Sequence, residues 1–285
     1  MSERVAVLGA GTMGHGIAQV CAMAGYDVAL ADAAEDFARR GVDRIRGNLE
    51  EGVKRGKISA ADVATYLSRI AVAPSLEVAA AGASLIVEAV PERLDLKQDV
   101  LRRAERAAPP TSLLATNTSS FSIGEMQEWL QRPAQFIGLH FFNPVHINRL
   151  LEIVRGPATD DETVQSALEF GRRIGKHAVL VNDSPGFATS RLGVLLGLEA
   201  MRMVEEGVAS AADIDTAMEL GYRHPMGPLR LTDLVGLDVR LDIARYLHEK
   251  LGAEHYRPPQ ILERMVEEGR LGRKSGRGFY DWNKE

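Results

Sequence analysis

Three groups of residues in this chain are of types and spacings that can do chemistry. The first is Gly9-Ala10-Gly11-Thr12-Met13-Gly14, a G-x-G-x-x-G run set between a short apolar strand and a helix. The first glycine permits a tight turn, the second lets backbone approach a pyrophosphate, and the third lets the helix pack on the strand. The helix opening there offers unpaired N–H groups and a positive dipole end to an anion. Asp32 closes the next strand. A carboxylate at that place accepts hydrogen bonds from adenosine ribose hydroxyls and repels a 2′-phosphate, which favours NAD over NADP. A tight glycine turn without a ligand is the plain alternative, and it leaves Asp32 unexplained.

The second group is Ala115-Thr116-Asn117-Thr118-Ser119-Ser120, a polar run directly after an apolar strand. Open α/β sheets bind their ligands at strand C-terminal ends. The same run also suits a Ser/Thr-capped helix start, and both readings stand. The third group centres on His140 within Gly138-Leu139-His140-Phe141-Phe142-Asn143-Pro144-Val145. By default a histidine in an apolar strand is simply buried and hydrogen-bonded. Here Asn143-Pro144 ends the strand just beyond it, and Glu152 lies in the following strand, within reach of a strand–turn–strand. A carboxylate behind an imidazole fixes its tautomer and stabilises the imidazolium. Such a pair suits a base that takes a proton from an alcohol while hydride leaves its carbon. His146 lies on the turn side without an acid, and His15 has no base or metal partner in sequence. Cys21, on the apolar face of the first helix, reads as packing.

The elements that must position these groups follow from periodicity. Val5 to Leu8 is a strand, Ile17, Val20, Cys21 and Ala24 recur at helical spacing, and Asp27 to Asp32 is a second strand. From Ala33 to about Ile70 the pattern is helical and rich in arginine, which predicts a helical hairpin projecting from the sheet. Strands resume at Ser84–Val87, Ser112–Ala115, Phe136–His140, Leu150–Val154 and Ala178–Val181. Strands separated by helices predict an α/β, Rossmann-type domain with a mostly parallel, doubly wound sheet and a helical hairpin insertion. After Asp183-Ser184-Pro185-Gly186 the texture turns helical, with Leu192 to Val204 apolar on most faces. Domains of 1–183 and 184–285 are expected, the second all-α.

The composition agrees with a soluble enzyme of this size. With 285 residues, 45% hydrophobic and 26% charged, the chain is neither disordered, collagen-like nor a disulfide scaffold. A net charge of −5 gives no basic face for nucleic acid. No apolar run approaches the roughly 20 residues of a membrane span, and the N-terminus does not read as a signal peptide. No Cys/His set has zinc spacing, so no metal is expected. The lone Cys21 suits a reducing, cytoplasmic setting.

These motifs are joined by Glu88-Ala89-Val90-Pro91-Glu92, Asp183-Ser184-Pro185-Gly186-Phe187, Asp213-Ile214-Asp215-Thr216-Ala217-Met218, Pro225-Met226-Gly227-Pro228 and Gly276-Arg277-Gly278-Phe279-Tyr280. Together they make nearly the whole chain resemble the L-3-hydroxyacyl-CoA dehydrogenase family, most nearly its bacterial 3-hydroxybutyryl-CoA dehydrogenases. The resemblance implies NAD-linked, reversible oxidation of an L-3-hydroxyacyl-CoA to the 3-oxoacyl-CoA. It implies His140 as base, Glu152 as its partner, and Ser119 as the serine that bonds the substrate's C3 oxygen. Glu92, Lys97, Ser119, Asn143 and Lys274 match the family's cofactor-contact positions. Asn48, Arg55 and Ser119 match where it holds CoA, and a homodimer through the helical domain is implied as well. One position departs from the pattern: the family's asparagine before Arg191-Leu192 is Ser190 here, whose shorter hydroxyl is expected to keep a weaker version of the same hydrogen bond. A dehydrogenase of free hydroxy acids such as gulonate is the rival within the same plan. A non-catalytic NAD-binding protein is the more distant rival and need not keep both His140 and Glu152.

Overall fold

A computed structural model describes residues 3–284. The chain divides into two compact units, the first ending at Asp183 and the second beginning at Ser184.

The first unit begins as β1 (Arg4–Leu8), α1 (Gly14–Met23) and β2 (Asp27–Ala31), followed by α2 (Glu35–Lys54), α3 (Ala60–Ser68) and β3 (Ile70–Val72). It continues through α4 (Leu76–Ala80), β4 (Leu85–Glu88), α5 (Leu94–Ala107), β5 (Leu113–Thr116) and α6 (Ile123–Gln127). It closes with β6 (Phe136–Phe141), β7 (Leu150–Arg155), α7 (Asp161–Arg173) and β8 (His177–Asn182). One eight-stranded sheet results, ordered β3-β2-β1-β4-β5-β6-β7-β8. Every neighbouring pair is parallel except β6 and β7. Val5, Val7, Leu30 and Val87 are buried in the sheet, and Ile17 and Cys21 cover it from α1. Strands covered on both faces carry continuous apolar runs, as these do. Chain order reverses between β1 and β4, and a crevice opens beyond the strand ends at such a switch point.

One strand escapes the sequence pattern. β3 pairs with β2 through Ile70, Ala71 and Val72, at the end of the region whose pattern is helical and before the strands expected from Ser84 onward. Three residues on a sheet edge are too few to show a period. The pair α2–α3 is therefore the crossover between β2 and β3. α2 buries Ala38, Ile45 and Leu49 and turns its arginines outward.

The second unit is helical: α8 (Thr189–Glu205), α9 (Ala211–Gly221), α10 (Pro228–Val235), α11 (Leu237–Leu251) and α12 (Gln260–Glu267). Its own core contains Val194, Leu198, Met201, Leu229, Leu241, Leu247 and Leu262. The Ser210 hydroxyl caps α9 by accepting from the Asp213 N–H, and Pro228 opens α10. Helix α8 is less enclosed than its sequence suggests, because Leu192 is 67% exposed. No helix among the described residues is long and apolar enough to cross a membrane.

The C-terminal segment is fastened by one buried carboxylate. Asp233 accepts the backbone N–H groups of Phe279 and Tyr280 and the Trp282 indole N–H, each at 2.9 Å. Asp233→Ala leaves these donors unanswered and is expected to destabilise the helical unit by about 3–5 kcal/mol. Urea denaturation followed by Trp282 fluorescence measures this, and an unchanged midpoint would contradict the role.

Candidate active site

The glycine loop leaves β1 with a constrained geometry. Gly9 adopts φ +102° and donates to the Ala31 carbonyl at 2.8 Å. A Cβ on Gly9 would stand 2.6 Å from the Ala89 carbonyl oxygen, and one on Gly14 would stand 1.7 Å from that of Gly9. These two glycines let the loop pass between the ends of β1 and β4. Gly11 differs: a Cβ there meets nothing within 4 Å, so this residue borders open space where a phosphate can approach backbone. No side chain caps the N-terminus of α1, and an uncapped helix start can offer N–H groups to an anion.

Asp32 has a task the sequence did not reveal. One carboxylate oxygen accepts the Ala10 N–H and the other accepts the Ala33 N–H, both at 2.7 Å. It therefore shapes the glycine loop from the end of β2. The His15 Nδ1 lies 2.6 Å from the Gly11 carbonyl, to which it donates, tying loop to helix. Burial pushes the Cys21 thiol up to about 12, so it is an inert packing group.

Beyond β4 lies a charged network hidden under the loops. Glu88 and Lys97 are both buried, the Lys97 ammonium 2.8 and 3.0 Å from the two carboxylate oxygens. Glu88 also accepts the Thr116 hydroxyl at 2.6 Å and the Val90 N–H at 2.7 Å. Burial raises the Glu88 carboxyl above its ordinary range, while Lys97, Thr116 and the Val90 N–H oppose the rise. Lys97 then reaches Glu92 at 3.1 Å. Glu92 in turn accepts the Thr118 hydroxyl, the Ser119 N–H at 3.1 Å and the Ser120 hydroxyl at 3.3 Å. The polar run after β5 is thus clamped by Glu92. Lys97 is 1% exposed, and its donors meet Glu88, Glu92 and the Val90 carbonyl. From there Lys97 supports Glu92 from beneath.

Asn117 links the next strands. Its N–H donates to the Glu88 carbonyl at 2.8 Å, and its Oδ1 accepts the Phe141 N–H at 3.0 Å. Beside it, in the antiparallel β6–β7 pair, His140 stands directly opposite Glu152. The imidazole Nδ1 is 2.7 Å from the Glu152 carboxylate, and the two residues are 6% and 1% exposed. A carboxylate only accepts, so Nδ1 carries the proton and Nε2 the lone pair. The Phe142 ring packs on the imidazole with centroids 4.4 Å apart. Asn143 follows on an exposed loop. That loop is pinned by buried Val145 against Gly16 and by the Lys176 ammonium, which donates to the Val145 and Asn148 carbonyls.

The expected CoA residues lie on α2. The Asn48 amide donates to Gln19 at 3.0 Å, joining α2 to α1, and Arg55 is exposed beside Glu51 at 2.8 Å. In the helical unit, Ser190 sits in the first turn of α8, and Lys274 pairs with Asp238 at 2.5 Å. Glu88, Asn117 and Thr118 are the supports that sequence reasoning missed. The hydroxyl-rich run and the Glu88-to-Glu92 stretch held the signal, but their pairing is tertiary.

A glycine loop at a topological switch, joined to a buried imidazole–carboxylate pair at neighbouring strand ends, defines a nicotinamide-linked oxidoreductase acting on an alcohol carbon. Comparison with known proteins narrows the class. The 3-hydroxyacyl-CoA dehydrogenase NAD-binding domain matches residues 4–184, and the C-terminal domain of 3-hydroxyacyl-CoA dehydrogenases matches residues 186–282. A probable 3-hydroxybutyryl-CoA dehydrogenase of Bacillus subtilis is 41% identical over 283 residues, covering 99% of this chain and 98% of that one. The 3-hydroxybutyryl-CoA dehydrogenase of Bradyrhizobium diazoefficiens is 41% identical over 280 residues, with 98% and 95% covered. The crystal structure of (S)-3-hydroxybutyryl-CoA dehydrogenase from Ralstonia eutropha superposes with a TM-score of 0.96 at 37% identity, covering 99% of each chain. The chain belongs to the 3-hydroxyacyl-CoA dehydrogenase family.

The buried network yields a stability test. Lys97→Met strands the Glu88 carboxylate and is expected to cost about 3–5 kcal/mol, whereas Lys97→Met with Glu88→Gln recovers most of that loss. Chemical denaturation of both variants checks it, and a double variant no more stable than the single one would contradict the pairing.

Proposed function

We propose that this chain catalyses the NAD-dependent, reversible oxidation of an L-3-hydroxyacyl-CoA, with 3-hydroxybutyryl-CoA as substrate and acetoacetyl-CoA as product. The observation that carries the reading is the buried His140–Glu152 pair, set across β6 and β7 in a chain of this family. The glycine loop fits a dinucleotide: Gly11 borders open space at the end of α1, and Asp32 stands at the ribose position. NAD, when bound there, supplies the hydride acceptor.

The protein's part is proton handling and orientation. His140 Nε2 takes the proton of the C3 hydroxyl: the substrate O–H bond breaks as the imidazole N–H bond forms. Glu152 steadies the resulting imidazolium through Nδ1. In the reverse direction His140 returns that proton to the C3 oxygen. Ser119 donates its hydroxyl to the same oxygen, held in place by the Glu92 clamp on its backbone. Ser190 donates from the first turn of α8. Glu92 and Asn143 line the cofactor side with Lys97 beneath, and Lys274 serves it from the helical unit. CoA lies along α2 with Asn48 and Arg55, where a local arginine surface offsets the negative charge of the whole chain. The first unit is the NAD-binding domain and the second serves substrate and dimerisation, with exposed Leu192 available to a homodimer in the cytoplasm.

Oxidation of NADH by acetoacetyl-CoA, compared with free hydroxy and oxo acids, tests the substrate class. His140→Gln is expected to bind NADH as the wild type does while kcat/KM on acetoacetyl-CoA falls by about 10²- to 10⁴-fold. A fully active His140→Gln enzyme would refute the assignment. For Ser190, replacement by alanine is expected to lower kcat, and replacement by asparagine to maintain or raise it. Rates unchanged in both variants would remove Ser190 from the mechanism.

A further inference from the structure

The side chain of Asn117 is engaged at one end only. This residue follows β5, and its backbone N–H donates to the Glu88 carbonyl at 2.8 Å, which holds it against the end of β4. Its Oδ1 accepts the Phe141 N–H at 3.0 Å, which holds it against the end of β6. A backbone N–H can only donate, so the atom facing it is the amide oxygen, and the orientation of the amide is settled. The other end of the same planar group is Nδ2, which carries two donors. None of the described residues accepts from it. Asn117 is half-buried, so these donors are not sealed into the core. Tying β5 to β6 requires only the oxygen, which leaves the nitrogen for something else.

Position decides what such a donor meets. In a doubly wound sheet the glycine loop after the first strand takes the diphosphate, and the strands across the switch point carry the second nucleotide half. Here those strands are β4, β5 and β6, and Asn117 lies at the middle one, tied to both neighbours. Phe141 directly follows His140, so the donors stand beside the base that faces the reacting carbon. The other groups at these strand ends differ in kind. Glu92 offers carboxylate oxygens, which suit ribose hydroxyls, and His140 offers a lone pair to the substrate's proton. A carbonyl oxygen needs a donor, and Asn117 holds one in a position fixed from two strands.

We propose that the Asn117 amide nitrogen donates to the carboxamide oxygen of the nicotinamide and so sets which way the ring lies in front of His140. The inference rests on the dehydrogenase reading above, with NAD in the crevice. Such a bond resists rotation of the ring about its glycosidic bond, and hydride transfer needs the ring held in one orientation.

The test is a calorimetric titration with NADH and with thio-NADH, in which sulfur replaces the carboxamide oxygen. Sulfur is a weak acceptor, so the wild type is expected to bind NADH about tenfold more tightly than thio-NADH. Asn117→Asp keeps an oxygen for the Phe141 N–H and loses both donors, whereas Asn117→Ala loses the whole amide. Both variants are expected to bind NADH about tenfold more weakly and to bring the ratio of the two dissociation constants near one. General loosening of the site weakens both dinucleotides alike and leaves that ratio in place. A wild-type ratio near one, or a variant that keeps the wild-type ratio, overturns this inference alone. If Asn117→Asp binds NADH as the wild type does and only the KM for acetoacetyl-CoA rises, the donor serves the substrate's carbonyl, and the proposal fails. A wild-type protein that binds neither dinucleotide overturns the dehydrogenase reading, and the inference with it.

Discussion

The geometry of the first unit's site depends on one buried ammonium shared by two carboxylates. Lys97 sits between Glu88, which is fully enclosed, and Glu92, which is partly exposed. Removing a carboxylate and an ammonium from water costs several kcal/mol each, and their attraction compensates only if the remaining lone pairs are also met. Here they are: Thr116 and the Val90 N–H complete Glu88, and three donors from the run after β5 converge on one oxygen of Glu92. Loss of any member therefore strands a charge and loosens more than one strand end. The network joins the ends of β4 and β5, and Asn117 extends it to β6 through the Phe141 N–H. Ser119 and His140 are positioned from a common frame for this reason.

A second constraint is the single antiparallel pairing in the sheet. Directly opposed residues of an antiparallel pair share a face with Cβ atoms about 5 Å apart. His140 and Glu152 occupy such a pair, flanked by the apolar pairs Leu139–Ile153 and Phe141–Leu151. Slipping the register by one residue would send Glu152 to the opposite face of the sheet, away from the imidazole. The packing that stabilises β6 and β7 thus also keeps the carboxylate behind the imidazole. A parallel neighbour would need a crossover between the strands, whereas β7 follows β6 after one short loop.

What was legible in the sequence follows from the range of each interaction. The glycine loop, Asp32 and the strand–helix alternation are local patterns, and they appear where the spacing predicts them. The His140–Glu152 pair was legible because one turn separates its strands. β3 was not, since three edge residues carry no period. Lys97 was matched to a cofactor-contact position by resemblance, and only the tertiary fold brings Glu88, Glu92 and the hydroxyls of Thr116 and Thr118 around it. Asp32 illustrates the intermediate case: its position was predicted, yet its hold on the Ala10 N–H depends on how the loop closes. Leu192 belongs to a segment apolar on most faces, and such a segment does not say which face lacks a neighbour.

The most deeply buried carboxylates of the chain are met in a common way. Glu88 meets Lys97, Glu152 meets His140, and Glu105 accepts the N–H groups of Gln131 and Arg132. Asp215 accepts Leu229, Arg230 and the Tyr280 hydroxyl, and Asp233 holds the C-terminal segment. Each carboxylate is answered inside its own unit by donors whose positions packing dictates, as the cost of an unmet charge requires.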